Sequence, residues 1–312
     1  MLPKMKSVAV IVPVHNRREI TISFIQQFTP LALQLDEYNF ELIIVDDGST
    51  DGTSEEINKQ FPDVIVLHGN GNLWWTGAIN MGVEYAISNN YDYTLLLNDD
   101  LELDSQFLSI MLKVAMKNSN SLVSALKVVR GEPNDRIVTS VFEVTGKYQE
   151  LIDHNAGKFV KNLDDQQIIE GDALTGAALL VSISTYRDIG ILDFKRFPHN
   201  WGDFEFTLRA SKAGYPCLLA VQARVYTDKN NPNYHYRYLV ESSRVDYLRN
   251  LFNRDKYTYG FDRLWHMSTM HKPRIIALRL FVRRLLGEFR WIILKIILPK
   301  YVLKGLVSNY TH

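Results

Sequence analysis

What the chain has little of narrows its nature first. One cysteine, Cys217, among 312 residues excludes a disulfide framework and a cysteine-based zinc site, and suits a reducing cytosol. The 35 basic and 35 acidic side chains cancel, so no global field draws the chain to nucleic acid. No apolar run has the length of a clean transmembrane span. Met1 to Lys6 is too short for a signal peptide and runs into Ser7–Val12 and Pro13, which reads as a first strand. Hydrophobic residues make up 46%, enough for a large core in one α/β domain with appendages or in two modest domains.

What is present is an alternation. Short β-branched or leucine runs at Val8–Val12, Phe40–Val45, Val64–Leu67 and Leu95–Leu97 read as strands. Helical periodicity separates or follows them at Glu19 to about Leu35, from Ser54, at Gly77–Asn89 and at Ser105–Asn118. This predicts a mostly parallel, doubly wound α/β sheet with helices on both faces. Such sheets hold ligands at the carboxyl ends of their strands. There the run Leu95-Leu96-Leu97 ends abruptly in Asn98-Asp99-Asp100. Fixed carboxylates suit a hard divalent cation that would clamp a diphosphate, although a solvated turn explains this run alone equally well.

Four blocks taken together go further. Val12-Pro13-Val14-His15-Asn16-Arg17, Val45-Asp46-Asp47-Gly48-Ser49-Thr50-Asp51-Gly52-Thr53, Asn72 with Gly77-Ala78-Ile79-Asn80-Met81-Gly82, and Leu97-Asn98-Asp99-Asp100 match in order and spacing. They resemble the family 2 glycosyltransferases, from about Val8 to Asn250, and within them the rhamnosyltransferase-like members that build bacterial surface polysaccharides. The resemblance implies a GT-A nucleotide-diphospho-sugar fold, inverting sugar transfer and a divalent metal, Mg²⁺ or Mn²⁺. It places Pro13, His15 and Asn16 beside the nucleotide base. Asp46, at a strand end, can accept from the N–H and O–H groups of base or ribose. Gly69 to Gly77 is a glycine- and asparagine-rich loop entering a helix, whose N–H groups can face phosphate or sugar. Asn72, Trp74, Gly77 and Asn80 are accordingly donor-side candidates, with Trp74 narrowing the pocket where relatives often carry glycine. Trp75 reads more readily as packing.

Asn98 departs from the aspartate common in relatives. Asp100 is therefore the principal metal candidate, with Asn98 and Asp99 bordering the donor. Leu122 to Gln167 is less regular: Ser124–Val129 and Val138–Val144 alternate like antiparallel strands in an acceptor-side insertion. Thr175 and Gly176, small residues before a strand, would let a sugar approach the backbone, and packing explains them nearly as well. In Trp201-Gly202-Asp203-Phe204-Glu205, Gly202 replaces the glutamate of relatives and Asp203 holds the aspartate position. An inverting transfer needs a base for the acceptor hydroxyl, and Asp203 is that candidate; its bland alternative is a helix cap. Trp201 and Glu205 are acceptor-side candidates, although Glu205 and Arg209, four apart, pair by default. Relatives often complete the metal shell with a histidine where this chain has Asp228; His235 is a further candidate, and Arg249 falls near the diphosphate.

Beyond Lys256, arginines interleave with Leu, Ile, Phe and Trp, which suggests helices lying on an anionic membrane surface; a helical hairpin on the domain or a homodimer contact are the other readings. Gly287-Glu288-Phe289-Arg290-Trp291 resembles the Gln-any-any-Arg-Trp signature of processive synthases without its glutamine, so transfer is expected to be non-processive. The expected organisation is a catalytic domain at 1–255, with donor-binding half 1–121 and acceptor-side half 122–255, and a basic, apolar extension at 256–312. The expected partners are a nucleotide-diphospho-sugar and a glycan or lipid-linked glycan, at the cytoplasmic face of the cell membrane. A nucleotidyltransferase is the enzyme rival, opposed by the lack of a glycine-rich, basic loop after the first strand. A degenerate sugar-nucleotide-binding protein is the other.

Overall fold

A computed structural model describes residues 5–131, 134–163, 167–228, 239–250 and 261–308. They fall into two compact units: Met1–Glu143 with Leu151–Thr227, and Val144–Glu150 with Asp228–His312. The division comes at Thr227, ahead of the compositional shift near Lys256.

The first unit begins β1 (Lys6–Val14), α1 (Arg18–Leu33), β2 (Tyr38–Asp46), α2 (Thr53–Gln60), β3 (Ile65–His68), α3 (Trp74–Ser88) and β4 (Tyr93–Leu97). It continues with β5 (Glu102–Leu103), α4 (Phe107–Lys117), β6 (Leu122–Val129) and β7 (Arg136–Thr139); the paired strands β8 (Glu143–Thr145) and β9 (Glu150–Ile152) fall where the chain passes through Val144–Glu150 of the second unit. β10 (Ile168–Gly171), β11 (Ala178–Ser182), α5 (Ile183–Ile189), α6 (Gly202–Lys212) and β12 (Cys217–Tyr226) complete the first unit. The principal sheet runs in the order β10-β12-β6-β11-β4-β1-β2-β3. β1, β2, β3 and β4 are parallel; β11 is antiparallel to both β4 and β6.

The strand runs lack alternation because both faces are covered. Val8, Val10 and Val12 of β1 point into one core with α1 and α4, while Ala9 and Ile11 point into another with α3. Leu95 and Leu97 join the first core and Leu96 the second. Three consecutive leucines are thus all buried, as a doubly covered strand requires. The alternating stretch at 138–144 does not form one strand. It breaks between β7 and β8, and Phe142 bridges instead to Ala173.

From Asp228 onward the described residues of the second unit are mostly helical: α7 (Arg244–Asn250), α8 (Phe261–Thr269), α9 (Arg274–Ile297) and α10 (Lys300–Ser308). Ala277, Leu280, Trp291 and Lys295 form the buried face of α9. The Lys295 ammonium is tolerated there because it donates to the carbonyls of Leu239 and Ser242. Among the described residues no helix is long and apolar enough to cross a membrane.

Candidate functional site

The carboxyl ends of β1 and β2 carry loops that lock onto each other. Asn16 takes a left-handed conformation (φ 52°), its N–H donates to Ser49 Oγ (2.8 Å), and its Oδ1 accepts from the Thr50 N–H (2.7 Å). His15 Nδ1 lies 2.7 Å from the Asp47 carbonyl, which can only accept, so Nδ1 carries the proton and Nε2 accepts from Asn16 Nδ2 (3.1 Å). Pro13 lies beside Val45 in the β1–β2 register. Asp46 is buried and spends its carboxylate on the same turn, accepting from the Ser49 N–H (2.8 Å) and the Ser54 hydroxyl.

Asp47, which the sequence reading passed over, shapes the glycine-rich loop. Its two oxygens accept from the N–H groups of Gly71 (2.8 Å) and Trp74 (2.9 Å). This extends α3 back to Trp74, three residues before the expected start, because a carboxylate there answers a free N–H and the helix dipole. Asn72 is exposed and folds onto Asn70. Gly77 meets the Phe194 ring, with no room for a side chain. Asn80 is buried and turned to the backbone of Leu192, donating to its carbonyl (2.8 Å) and accepting from its N–H (3.1 Å).

At the end of β4 the three polar residues diverge. Asn98 Oδ1 accepts from the Trp75 indole N–H at 3.0 Å. Asp99 is buried, takes a hydrogen bond from Thr21 (3.0 Å) and pairs with Arg17 (3.3 Å). Burial pushes its carboxyl up to about 6, against the pull of Arg17 and Thr21. Asp100 projects outward, its side chain 36% exposed, with the other arm of Arg17 at 3.4 Å.

The second centre lies at the start of α6. Trp201 adopts φ 73° ahead of the helix, and Asp203 accepts from the N–H groups of Gly176 (2.8 Å) and Phe204 (2.9 Å). Burial raises the Asp203 carboxyl above the ordinary range, while those two donors and the Lys127 charge pull it down. Glu205 is 1% exposed and held by Arg209 (3.0 Å) and Arg196 (3.5 Å). The default ion pair is therefore what its carboxylate forms. Thr175 is half-buried beside Gly176.

Trp75 joins the two centres. A methyl on Gly176 would sit 2.7 Å from Trp75 Cζ2, nearer still to Cη2, and 3.1 Å from Asp203 Cβ. The indole therefore lies on Gly176, beside Asp203, with its N–H on Asn98. Gly202 is explained in the same way: a Cβ there would meet Thr76 Oγ1 at 2.6 Å, so a glutamate has no place. No spacing rule in the sequence relates residues 75, 98 and 176. Lys127 on β6 was also missed; it is half-buried, and the charges of Asp100 and Asp203 both act on its ammonium.

Asp228 and Arg249 are exposed and belong to the second unit, Arg249 on α7; His235 lies outside the described residues. Among the described residues no three His, Cys, Asp or Glu side chains converge on a metal position. Asp100 nevertheless offers one outward carboxylate. A hard cation held by one carboxylate, water and a ligand's phosphates is compatible with that donor set.

Comparison with known proteins is consistent with this geometry. The family model described as Glycosyl transferase family 2 matches residues 9–174, more than half of the chain. The chain is 26% identical over 178 residues to the poly-beta-1,6-N-acetyl-D-glucosamine synthase of Staphylococcus epidermidis. That match covers 54% of this chain and 39% of the synthase, so the chain spans about two fifths of its relative's length. Among solved structures, that of GalNAc-T7 with UDP, GalNAc and Mn2+ superposes with a TM-score of 0.56 at 14% identity, covering 90% of this chain and 55% of that one. At that identity the likeness shows the fold, which is GT-A.

Proposed function

The chain belongs to glycosyl transferase family 2, and from that premise we propose that it moves one sugar at a time, with inversion, from a nucleotide-diphospho-sugar to a glycan or lipid-linked glycan. The setting proposed is surface polysaccharide synthesis. The observation that carries the reading is a pair of unlike carboxylates on either side of Trp75: Asp100 outward, two residues past the Asn98 that holds the indole, and Asp203 half-buried against Gly176 under the same indole. Asp203 takes the proton of the acceptor hydroxyl as that oxygen bonds to the anomeric carbon. The bond from this carbon to the diphosphate oxygen breaks, and the nucleoside diphosphate leaves with the electron pair. A carboxyl raised by burial is a stronger base near neutral pH, and the Gly176 and Phe204 N–H donors hold its lone pairs in one orientation.

Asp100 would hold a Mg²⁺ or Mn²⁺ ion, which when bound supplies positive charge against the departing diphosphate. Pro13, His15, Asn16, Asn72 and Trp74 would line the donor; Asp46, Gly77, Asn80 and Asn98 support them through their loop contacts. Thr175, Gly176 and Trp201 would meet the acceptor. Gly287, where the processive signature has glutamine, supports single transfers.

The second unit supports a peripheral place at the inner face of the membrane. Ile275, Leu278, Val282, Leu286, Phe289 and Ile293 form an exposed stripe on α9 at spacings of three and four. Exposed Arg279 and Arg290 accompany it, and Glu288 is the only acid on the helix. Such a face suits an anionic lipid surface.

The test is release of nucleoside diphosphate from a panel of sugar nucleotides, thymidine diphosphate rhamnose and uridine diphosphate sugars included. Lipid-linked glycan extract serves as acceptor, with Mg²⁺, Mn²⁺ or EDTA. Asp203→Asn should bind donor and lose at least about 100-fold in turnover. Product of the opposite anomeric configuration supports inversion. Donor binding without turnover across the panel would favour a sugar-nucleotide-binding protein.

A further inference from the structure

β6 is flanked on both sides where Lys127 sits, opposite Val225 of β12 and Thr139 of β7. Leu122 to Leu126 and Val128 are buried around it, and Lys127 is itself half-buried. A lysine within such a strand breaks its apolar pattern and loses hydration that an ammonium needs. Its place follows from strand register. β6 and β4 are both antiparallel to β11, so they run the same way and end at the same edge of the sheet. Leu179 of β11 stands opposite Leu96 on one side and Ser124 on the other. Three residues further along, β4 has run into Asp99 and β6 has reached Lys127, where β7 has replaced β11 as its neighbour. Gly176, ahead of β11, binds Asp203 through its N–H. β4 and β6 are two strand spacings apart, about 10 Å.

The charges of Asp100 and Asp203 both act on the ammonium, which makes no hydrogen bond or ion pair with either, or with any other described residue. Asp99 and Asp100 already have Arg17. Three donors on a half-desolvated cation are thus left for a ligand rich in anionic oxygen.

We propose that Lys127 binds the donor's diphosphate, presenting its ammonium to the non-bridging oxygens from the β6 side of the site. This rests on the reading of the chain as a nucleotide-sugar transferase. As the bond to the sugar breaks, negative charge grows on the diphosphate, and a cation already in place stabilises that charge without reorganising. The group touches the donor and takes no proton.

The experiment measures binding by calorimetry for wild type, Lys127→Met and Lys127→Arg. The probes are inorganic pyrophosphate, uridine and thymidine diphosphates, and the uncharged nucleosides uridine and thymidine, each in EDTA and in Mg²⁺. Methionine keeps the volume of the stem, and thermal melting checks that each variant folds. The proposal expects Lys127→Met to weaken pyrophosphate and both diphosphates at least about tenfold in EDTA, with nucleoside binding unchanged. Lys127→Arg should recover most of the loss, and the salt dependence of pyrophosphate binding should be shallower in the methionine variant. Unchanged pyrophosphate affinity in Lys127→Met overturns it. So does an equal loss for the uncharged nucleosides, or a folded wild type that binds none of the phosphate probes. Lys127-dependent diphosphate binding without sugar transfer to any acceptor would defeat the transferase reading alone; transfer unaffected by Lys127→Met would defeat this one alone.

Discussion

Gly176→Ala should damage the protein far more than one methyl suggests. The new Cβ would stand 2.7 Å from Trp75 Cζ2, closer to Cη2, and 3.1 Å from Asp203 Cβ. The indole cannot yield freely, because its N–H is held by Asn98 at 3.0 Å and α3 fixes its Cα. Overpacking of this kind costs about 1–3 kcal/mol. Displacing the indole also gives up the Asn98 hydrogen bond, about 1 kcal/mol. The expected loss is about 2–4 kcal/mol in urea unfolding, followed by tryptophan fluorescence. Activity should fall further than stability predicts, since Asp203 is held by the N–H of the same glycine and a shift of about 1 Å in a reacting group can cost about 100-fold. Trp75→Leu removes the obstacle, so the double variant should lose at least about 1 kcal/mol less than the sum of the singles. Wild-type stability and turnover in Gly176→Ala, or strict additivity with Trp75→Leu, would refute the packing that joins the two centres.

Asp99 gives a pH signature. Its carboxyl is raised from 3.8 to about 6, so the folded state holds the proton more tightly than the unfolded chain. Its contribution to stability is complete below about pH 4 and is lost as pH rises through 6, amounting to about 3 kcal/mol. In EDTA, the unfolding free energy of wild type relative to Asp99→Asn should fall by that order between pH 4 and 7; a flat difference contradicts the burial. Asp203 should place the acid limb of kcat/KM above the ordinary carboxylate range, and Asp203→Asn should abolish the limb rather than move it. Asp100→Asn should weaken the response of donor binding to added Mn²⁺ and leave metal-free binding within a few fold. For the second unit, Arg279→Glu with Arg290→Glu should reduce sedimentation with phosphatidylserine vesicles by roughly 10-fold or more, at about 1 kcal/mol per basic side chain. Equal sedimentation with neutral vesicles would point to the apolar stripe alone.

The fold was legible because its strands obey local rules. Leu95, Leu96 and Leu97 are consecutive and all buried, which only a doubly covered strand allows, and the Ser/Thr/Asp loops after β1 and β2 carry their turn chemistry in plain sight. The same locality hid half of the site. Asp47 looked like one more polar loop residue, yet it organises a loop and caps a helix 24 and 27 positions away. Asn80 turns its polar atoms to the Leu192 backbone 112 residues away, a contact no local pattern shows, whereas the Glu205–Arg209 pair follows from their spacing of four and only the second partner, Arg196, was hidden. Trp75, Asn98, Gly176 and Asp203 meet only in three dimensions, and Lys127 reaches the same edge of the sheet because β4 and β6 are both antiparallel to β11. Until the strand order is known, a lysine after Ala125-Leu126 is simply a break in a hydrophobic run.

The roles proposed for Asp100 and Asp203 rest on how differently the fold surrounds two side chains of the same intrinsic acidity. Asp100 leaves the sheet at its edge, beside Arg17 and open to solvent, where ionisation costs little and a metal or phosphate can reach it. Asp203 lies beneath the Trp75–Gly176 contact, where burial makes ionisation expensive and two backbone donors lower that cost only in part. Environments that push two carboxyl groups apart in this way separate a charge-carrying role from a proton-accepting one. The separation depends on residues that do no chemistry: an indole too large for anything but glycine at 176, and a threonine too close for anything but glycine at 202. Refilling either position with a side chain should therefore disturb Asp203 first and Asp100 last, which comparing the pH–rate profile with Mn²⁺ affinity in Gly176→Ala would reveal.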